Sequence, residues 1–412
     1  MNRNIVRWGA LVVLGMLTCW GCGGGDGAGS GEPQGDRSGG APGPTVGATG
    51  EPVTVWVIED SSKAAGVEFP NLRSGIKARV ARINVEGLGG SGRPVRVRYC
   101  STGFDPNTAA KCARDAVADR SAIAVAASIS ANGDTVLPIL EEGGLPNVGA
   151  TPFSQRDGTS PISFPTTGGL ITATGCQAAV LRDVAGAEKI GVARSDTPGA
   201  DQVRALLGAL GVPAAAEVVT PTAEPDYSAQ MGAISAKADA VVLAQDPATA
   251  LKAVTALRSI GSDVPVAGSG AQSWTPERIK QAGEAVEGMY LALWFALDGA
   301  PGAKRYVADM RAIDALDQSD DQAKLGWVAF ELLDQAARGL PTLDRASITT
   351  ALSQMRSFDG GGLTPTIDFT TPGKLLFGAQ PRLVNDACVY GRIKDGRIVS
   401  VRSGFVRPFA TD

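Results

Sequence analysis

The sequence predicts an α/β protein of two lobes, each a doubly wound parallel sheet, joined by a three-strand hinge. From residue 53 to residue 295, short apolar runs of strand character alternate with segments of helical periodicity, a rhythm typical of βαβ units. The alternation starts a second time after Gly168, which indicates two such sheets in one chain. Segments of small residues and glycines interrupt the rhythm, and we expect the chain to pass between the lobes there.

The N-terminal residues 1–21 have the features of a secretion signal. Two arginines precede a mostly apolar run from Trp8 to Trp20, shorter than the ~20 residues that a helix needs to span a membrane. Cys22 directly follows Gly21, an arrangement that resembles the lipobox of bacterial lipoproteins, so we predict that Cys22 is lipidated. Cys19 is the alternative acceptor, and plain secretion without a lipid stays open.

Residues 22–52 are predicted to form a flexible tether. They are mostly Gly, Ser, Pro and Ala with almost no bulky apolar side chain, so the segment cannot bury enough surface to fold. We expect the folded part to begin at Val53 and to be held near the outer face of the cell membrane by the lipid.

Composition narrows the classes of function. The 412 residues carry a formal net charge of -4, and no run of Lys or Arg forms a basic stripe, so nucleic acid is not an expected partner. The chain has no histidine, which removes Ser-His-Asp and Cys-His arrangements and the most frequent metal ligand. The glycines of Gly87–Gly92 follow a helix and precede a strand, the reverse of the dinucleotide-binding context, and we predict neither cofactor nor metal.

The chain is organised around residues 123–168, where two predicted strands end in loops of small polar residues. The first strand is followed by Ser128–Asp134 and the second by Gly149–Ser154. Small ligands bind at the carboxyl ends of strands in α/β proteins, and small side chains leave backbone N–H groups and hydroxyls free to face them. The alternative is that both segments are ordinary surface loops.

A series of motifs runs through the chain: FPNLRSGIKARVARIN followed by GRPVRV, DPNTAAKCARDAVAD, the Ser-rich loop, PNVGATP, FPTT, EPDYSAQMGAI before ADAVVLAQ, and GGGLTPTIDFT. Their order and spacing, from about Val53 to Arg397, resemble the branched-chain amino-acid-binding family of ABC-transporter substrate receptors, which have the type I periplasmic-binding-protein fold. The resemblance implies two lobes that close over a small ligand, with membrane permeases recognising the closed form.

The resemblance also implies ligand-binding residues. Ser130 matches the serine that binds the ligand carboxylate, and Gly149, Ala150 and Thr151 match the clamp on the neighbouring strand end. The acid that takes the ligand ammonium falls near Gly270, where this chain has none. The full predicted set is Ser128, Ser130, Gly149, Ala150, Thr151, Glu59, Asp60, Asp196, Gln245, Asp246 and Gly270.

Further departures from the family lie in the second lobe. Gln245 and Asp246 replace an aromatic residue at the end of ADAVVLAQ, and the family's tyrosine falls near Pro198. A ligand ammonium would therefore be neutralised by Asp246 or Glu59, or the ligand lacks one. Glu59 and Asp60 also carry the alternative hypothesis of a carboxylate-dependent hydrolase.

Four cysteines remain after Cys22, an even number that in a secreted protein indicates disulfides with three possible pairings. Cys100 ends a predicted strand and Cys112 lies on the next helix, whereas Cys176 and Cys388 are expected in one lobe. We predict the pairs Cys100–Cys112 and Cys176–Cys388. None of these four cysteines forms a C-x-x-C knuckle, which argues against a zinc site.

We predict that lobe 1 comprises residues 53–167 and 293–356, and that lobe 2 comprises residues 168–292 and 357–412. The chain is expected to cross between them at Thr166–Gly169, Ala292–Ala296 and Ser357–Thr364.

The leading functional hypothesis is a lipid-anchored, extracytoplasmic receptor. It would deliver a small polar solute, an amino acid or a related amide or organic acid, to the permease subunits of an ABC importer. A sensor with the same fold and no transport role is one alternative. An extracellular hydrolase is the other, and the lack of histidine disfavours it.

Overall fold

The computed structural model describes residues 47–62, 67–196, 200–375 and 379–409. The predicted signal segment, Cys22 and the tether up to residue 46 lie outside these residues. Within them, no helix is long and apolar enough to cross a membrane. The last part of the predicted tether is already paired with the folded chain, because Ala48 N donates to Asn84 O and Gly50 N donates to Gly92 O.

The first sheet has five strands in the described part of the chain, and all of its pairings are parallel. Its order is β2-β1-β3-β4-β5, with β1 Val53–Glu59, β2 Val95–Ser101, β3 Ala122–Ala126, β4 Asn147–Val148 and β5 Ser163–Phe164. The helices that connect these strands are α1 Pro70–Glu86, α2 Pro106–Ala118, α3 Gly133–Glu142 and α4 Gln155–Thr159. The strands β1 and β3 are buried throughout, as expected for a parallel sheet covered on both faces.

Among the described residues, the second sheet has seven strands in the order β12-β11-β10-β9-β8-β6-β7. They are β6 Ile190–Ser195, β7 Ala216–Thr220, β8 Ala240–Ala244, β9 Val266–Ser269, β10 Tyr290–Leu293, β11 Val389–Lys394 and β12 Arg397–Ser400. Pairing is parallel from β7 to β10 and antiparallel from β10 through β12. The helices of this lobe are α5 Gly169–Asp183, α6 Val203–Ala209, α7 Ser228–Ser235, α8 Pro247–Ser259 and α9 Pro276–Ala282. The predicted fold of two parallel-sheet α/β lobes is confirmed.

After β10 the chain returns to the first lobe and forms α10 Lys304–Ala312, α11 Asp321–Ala337 and α12 Arg345–Ser353. The helix α11 packs closely against α1, because a Cβ added at Gly75 would overlap Ala323 O and one added at Gly326 would overlap Leu72 O. Glycine at both positions therefore allows the two backbones to approach. Almost every residue of α11 is buried, so this helix forms the centre of the first lobe's core.

The third crossing differs from the prediction. Four apolar side chains that follow α12 are part of the first lobe's core: Phe358, Leu363, Ile367 and Phe369. Arg382 still contacts that lobe, since its Nε donates to Ser163 O at 2.7 Å. Asn385 Nδ2 then donates to Thr166 O at 2.8 Å, and Cys388 belongs to the second lobe's core. The crossing is therefore near Asn385 and not at Ser357–Thr364, because burial of these apolar side chains holds the segment on lobe 1.

Both predicted disulfides are present in the structure. Cys100–Cys112 joins the end of β2 to α2, with the two Cα atoms 5.8 Å apart. Cys176–Cys388 joins α5 to the residue before β11, with the Cα atoms 6.6 Å apart. The second bond links the two places where the chain enters the second lobe.

Candidate functional site

The carboxyl ends of the first sheet's strands meet at one edge, as the sequence predicts. Ser128 and Thr151 are both buried there, and Thr151 N donates to Ser128 O at 2.9 Å. Bridges from Ile129 to Glu59 and from Ile129 to Thr151 extend the sheet past its regular strands. Gly149 N likewise donates to Phe164 O at 2.8 Å. These two backbone N–H groups, predicted to face a ligand, are therefore occupied by neighbouring strands.

A carboxylate of the chain itself occupies the Ser-rich loop. Ser130 Oγ donates to Asp60 Oδ1 at 2.7 Å, and Ala131 N donates to Asp60 Oδ2 at 2.7 Å. Thr102 Oγ1 donates to Oδ1 as well, and Asn132 Nδ2 lies 3.4 Å from the same oxygen. Asp60 is 2% exposed, so this carboxylate is solvated almost entirely by protein donors.

Ser130 has no second hydroxyl proton to offer. Its O–H donates to Asp60, while its oxygen accepts from Asn132 N at 3.1 Å. The prediction that Ser130 binds a ligand carboxylate is thus at odds with this arrangement. Ser128 takes part in the sheet edge in another way, since its Oγ accepts from Ile58 N at 3.4 Å. Ala150 is buried between the two strand ends.

Glu59 points away from Asp60 and forms an ion pair. Arg73 Nη2 donates to Glu59 Oε1, and Ser61 Oγ donates to the same oxygen at 2.9 Å. The hydrogen bond to Glu59 raises the pKa of Arg73. The guanidinium also lies 4.8 Å from the ring centroid of Tyr99, whose pKa burial raises to about 12. Because Glu59 and Asp60 have separate partners, they do not form the carboxylate pair that a hydrolase would need.

The hydroxyl of Thr151 has no hydrogen-bond partner among the described residues. Thr151 Oγ1 is buried, and Thr151 itself is 1% exposed. An unpaired buried hydroxyl is destabilising by about 1 to 3 kcal/mol. Of the residues predicted to clamp a ligand, Thr151 therefore retains a side-chain group able to do so.

The loop after β6 holds Asp196, which is exposed and binds another loop. Its Oδ1 accepts from Thr222 N at 3.1 Å and from Thr222 Oγ1 at 2.9 Å. These hydrogen bonds lower the pKa of Asp196. The residue therefore ties the loop after β6 to the loop after β7, and the neighbouring Pro198 lies outside the described residues.

Gln245 and Asp246 follow β8 and each present an acceptor atom with no donor among the described residues. Gln245 Nε2 donates to Thr220 Oγ1 at 2.7 Å, which leaves the buried Oε1 without a partner. Asp246 Oδ1 caps α8 by accepting from Ala248 N and Thr249 N, both at 3.0 Å. Its other oxygen, Oδ2, is buried without a donor. The carboxyl end of β8 is thus rich in unused acceptors.

Gly270 faces a carboxylate that the sequence analysis missed. A Cβ built on Gly270 would overlap Oδ2 of Asp321, the first residue of α11. That oxygen accepts from Trp294 N at 2.6 Å, and burial raises the pKa of Asp321 to about 7. The chain therefore places an acid beside position 270, although it comes from the other lobe. In the sequence around position 270, the glycine itself is the feature that indicates a close approach of another group.

A hydrogen-bonded cluster joins the lobes next to this point. Asp320 Oδ2 accepts from Asn71 Nδ2 of α1 at 2.7 Å and from Ser273 Oγ of the second lobe. Asn71 Nδ2 also lies 3.2 Å from Ser273 Oγ. Burial raises the pKa of Asp320, while these donors act in the opposite direction. The cluster holds the two lobes in contact.

A cavity of about 310 Å³ lies beside the cluster and takes its walls from both lobes. Its charged lining residues are Arg278 and four carboxylates, Glu68, Asp246, Glu277 and Asp317. Arg278 Nη1 donates to Gln272 O at 2.9 Å, and burial lowers the pKa of this guanidinium. Neutral polar groups of Asn71, Ser273, Thr275, Gln318 and Gln322 complete the polar part of the wall. The cavity therefore suits a small polar molecule.

The described residues contain no group of three or more Cys, Asp or Glu side chains placed to hold a metal ion. Asp60 and Asp320 instead accept hydrogen bonds from donors of the protein.

The sequence model of the periplasmic binding protein family matches residues 52–378. No curated protein sequence matches the chain. A substrate-binding periplasmic protein from Ralstonia solanacearum is 21% identical, with a TM-score of 0.68 over 84% of this chain and 99% of its own. LivJ from Streptococcus pneumoniae, solved with isoleucine, is 17% identical, with a TM-score of 0.67 over 86% and 99%. A solute-binding protein from R. palustris, solved with 4-hydroxybenzoate, is 19% identical, with a TM-score of 0.69 over 87% and 97%.

Proposed function

Because the chain belongs to the periplasmic binding protein family, we propose that it is an extracytoplasmic receptor that closes two lobes over a small polar solute and delivers it to an ABC importer. The observation that carries the proposal is the cavity of about 310 Å³ with walls from both lobes. A solute bound there contacts the ends of α1 and α8 at once, so its binding energy favours the closed arrangement.

The solute class is supported by the polar lining and by relatives of the same fold. The S. pneumoniae protein was solved with isoleucine and the R. palustris protein with 4-hydroxybenzoate, both small molecules with a polar head. Of the residues with an unpaired group at the strand ends, Asp246 lines the cavity, and its Oδ2 is an acceptor for such a head. An amino acid, or a related amide or amine, fits this surface.

The proposed anchor is a lipid on Cys22, followed by a tether that allows the receptor to reach permease subunits. Metabolic labelling with a radioactive fatty acid tests it, using the full chain and its Cys22→Ser variant. We expect label and membrane association for the wild type and loss of both in the variant. Label that persists in Cys22→Ser but disappears in Cys19→Ser would move the anchor to Cys19.

The receptor function is tested by native mass spectrometry of the full Cys22→Ser chain, purified without added ligand. We expect a bound small molecule that is released on denaturation and that raises the melting temperature when added back. A protein that carries no solute, shows no thermal shift with amino acids, amides, amines and organic acids, and fails to support solute uptake would contradict the proposal.

A further inference from the structure

We propose that Asp60 takes up the hydrogen-bond donors of the Ser-rich loop, and that the receptor's solute is a positively charged, donor-rich molecule without a carboxylate at this loop. The inference rests on the proposed receptor function and names its substrate class. Two independent observations carry it: the donors around Asp60 and the acceptors without donors at the end of β8.

The donors of the Ser-rich loop are already used. Asp60 accepts hydrogen bonds from the hydroxyls of Ser130 and Thr102, from the backbone N–H of Ala131 and from the side-chain amide of Asn132. Within the described residues, no Lys or Arg forms an ion pair with Asp60, so its two carboxyl oxygens are satisfied by hydrogen-bond donors alone. Hydrogen bonds from backbone and hydroxyl groups are enough to stabilise a carboxylate.

A ligand carboxylate at the same loop would meet two obstacles. It would lack the Ser130 proton, and it would stand next to a second carboxylate that is 2% exposed. Two carboxylates that share a site cannot both stay ionised without a large penalty, since like charges repel strongly where water is excluded. The loop therefore selects against anionic solutes.

The second lobe presents hydrogen-bond acceptors that lack donors. Gln245 Oε1 and Asp246 Oδ2 are acceptors without donors in the described part of the chain, and Gln245 is 9% exposed. Asp246 also lines the interlobe cavity, whose wall holds four carboxylates and one guanidinium among the described residues. A ligand that donates hydrogen bonds and carries positive charge satisfies these atoms. An ammonium with nearby N–H groups has this chemistry.

The first test identifies the co-purified solute and compares matched probes. For one carbon skeleton the probes are leucinamide, leucine and 4-methylpentanoate, and the same series is run for alanine and phenylalanine by calorimetry. We expect the co-purified solute to be a cation without a carboxylate. We also expect each cationic amide to bind at least tenfold more tightly than both carboxylate-bearing probes of its series. A carboxylate-bearing solute, or an acid that binds as tightly as its amide, would overturn the inference and leave the receptor function standing. Absence of any bound solute together with no binding in any series would instead contradict the receptor function.

Two variants of the loop separate the possibilities further. Asp60→Asn keeps the shape of the side chain and removes its charge, and we expect it to improve the binding of 4-methylpentanoate at least tenfold relative to leucinamide. Ser130→Ala should leave the binding of the cationic probe within about twofold, because that hydroxyl serves Asp60. A tenfold loss in Ser130→Ala would place the ligand on Ser130 and refute the inference, even if Asp60→Asn does not fold. Asp344→Asn, which removes an N-cap carboxylate on α12, is the matched control and should leave the order of the probes' affinities unchanged.

Discussion

Asp321 fills the space in front of Gly270, so that a carboxylate of the first lobe stands where a side chain of the second lobe would begin. Its Oδ2 also accepts from Trp294 N at 2.6 Å, close to the second crossing of the chain. This one carboxylate therefore ties together α11, the loop after β9 and the hinge. A side chain at position 270 would therefore clash with the first lobe in this arrangement.

Gly270→Ala is expected to destabilise the protein, because the added methyl would overlap Asp321 Oδ2. Overpacking of this kind is destabilising by about 1 to 3 kcal/mol. Chemical denaturation monitored by tryptophan fluorescence measures it. Gly208→Ala is the matched control, since a Cβ there meets nothing within 4 Å on α6; it should be neutral or stabilising by about 0.5 to 1 kcal/mol. Equal stabilities of the two variants would contradict the contact.

Asp321 should make stability fall as the pH rises. Burial raises its pKa to about 7 in the folded protein, well above the value of about 4 for a free Asp. Between these two values the folded state binds more protons than the unfolded state, so the free energy of unfolding decreases with increasing pH. Lys324 lowers this pKa, whereas Asp320 and Asp298 raise it. The full stabilisation is present below about pH 4 and is lost as the pH passes 7.

The measurement is the free energy of unfolding of wild type and Asp321→Asn from pH 4.5 to 7.5. We expect the variant to show a smaller decrease across this range, because it cannot release the proton. Asp157 contributes in the same direction, since burial raises its pKa to about 6, so part of the slope should remain. Asp344→Asn is the control, because the pKa of Asp344 is lowered. Identical pH profiles for wild type and Asp321→Asn would contradict the assignment.

The two disulfides should contribute unequally to stability. Cys100 and Cys112 are 12 positions apart, whereas Cys176 and Cys388 are 212 positions apart. In the chain-entropy model, loops of these sizes correspond to about 3 and about 5 kcal/mol. We expect Cys176→Ser with Cys388→Ser to lower the free energy of unfolding more than Cys100→Ser with Cys112→Ser. The reverse order would show that enthalpic terms dominate.

Ser273→Ala should weaken the contact between the lobes. The variant removes a hydroxyl that donates to the buried carboxylate of Asp320 and leaves Asn71 as a remaining donor. Hydrogen bonds to charged groups contribute about 1.5 to 3 kcal/mol. Small-angle scattering should therefore give a larger radius of gyration for the ligand-free variant. Ser259→Ala, which removes an exposed hydroxyl on α8, is the control and should scatter like the wild type.

Several features could be predicted from the sequence because their signals are local. The alternation of apolar strands with helices predicts two parallel-sheet lobes, because the apolar residues that each element buries follow one another closely in the sequence. Cys100–Cys112 spans one strand-to-helix connection, so the predicted elements were enough to pair these cysteines.

Other features depended on which strands become neighbours. Asp60 meets Ser130, 70 positions away, only because β1 and β3 pair and their following loops leave the same edge. The segment from Phe358 to Phe369 stays on the first lobe because its apolar side chains bury against that core. Glycines in FDGGG indicated a crossing but could not show which core the next side chains would join.

The sequence by itself determined the elements, the two-lobe architecture and the pairing of Cys100 with Cys112, because these depend on periodicity and on short separations along the chain. Only the tertiary structure decided which polar groups are free. In the tertiary structure, the Ser130 hydroxyl donates its hydrogen bond to Asp60, and Asp321 occupies the space in front of Gly270. Gln245 Oε1 and Asp246 Oδ2 have no donors in the described chain. The physical reason is that a hydrogen bond forms with whichever partner packing brings within reach, and residue type alone does not identify that partner.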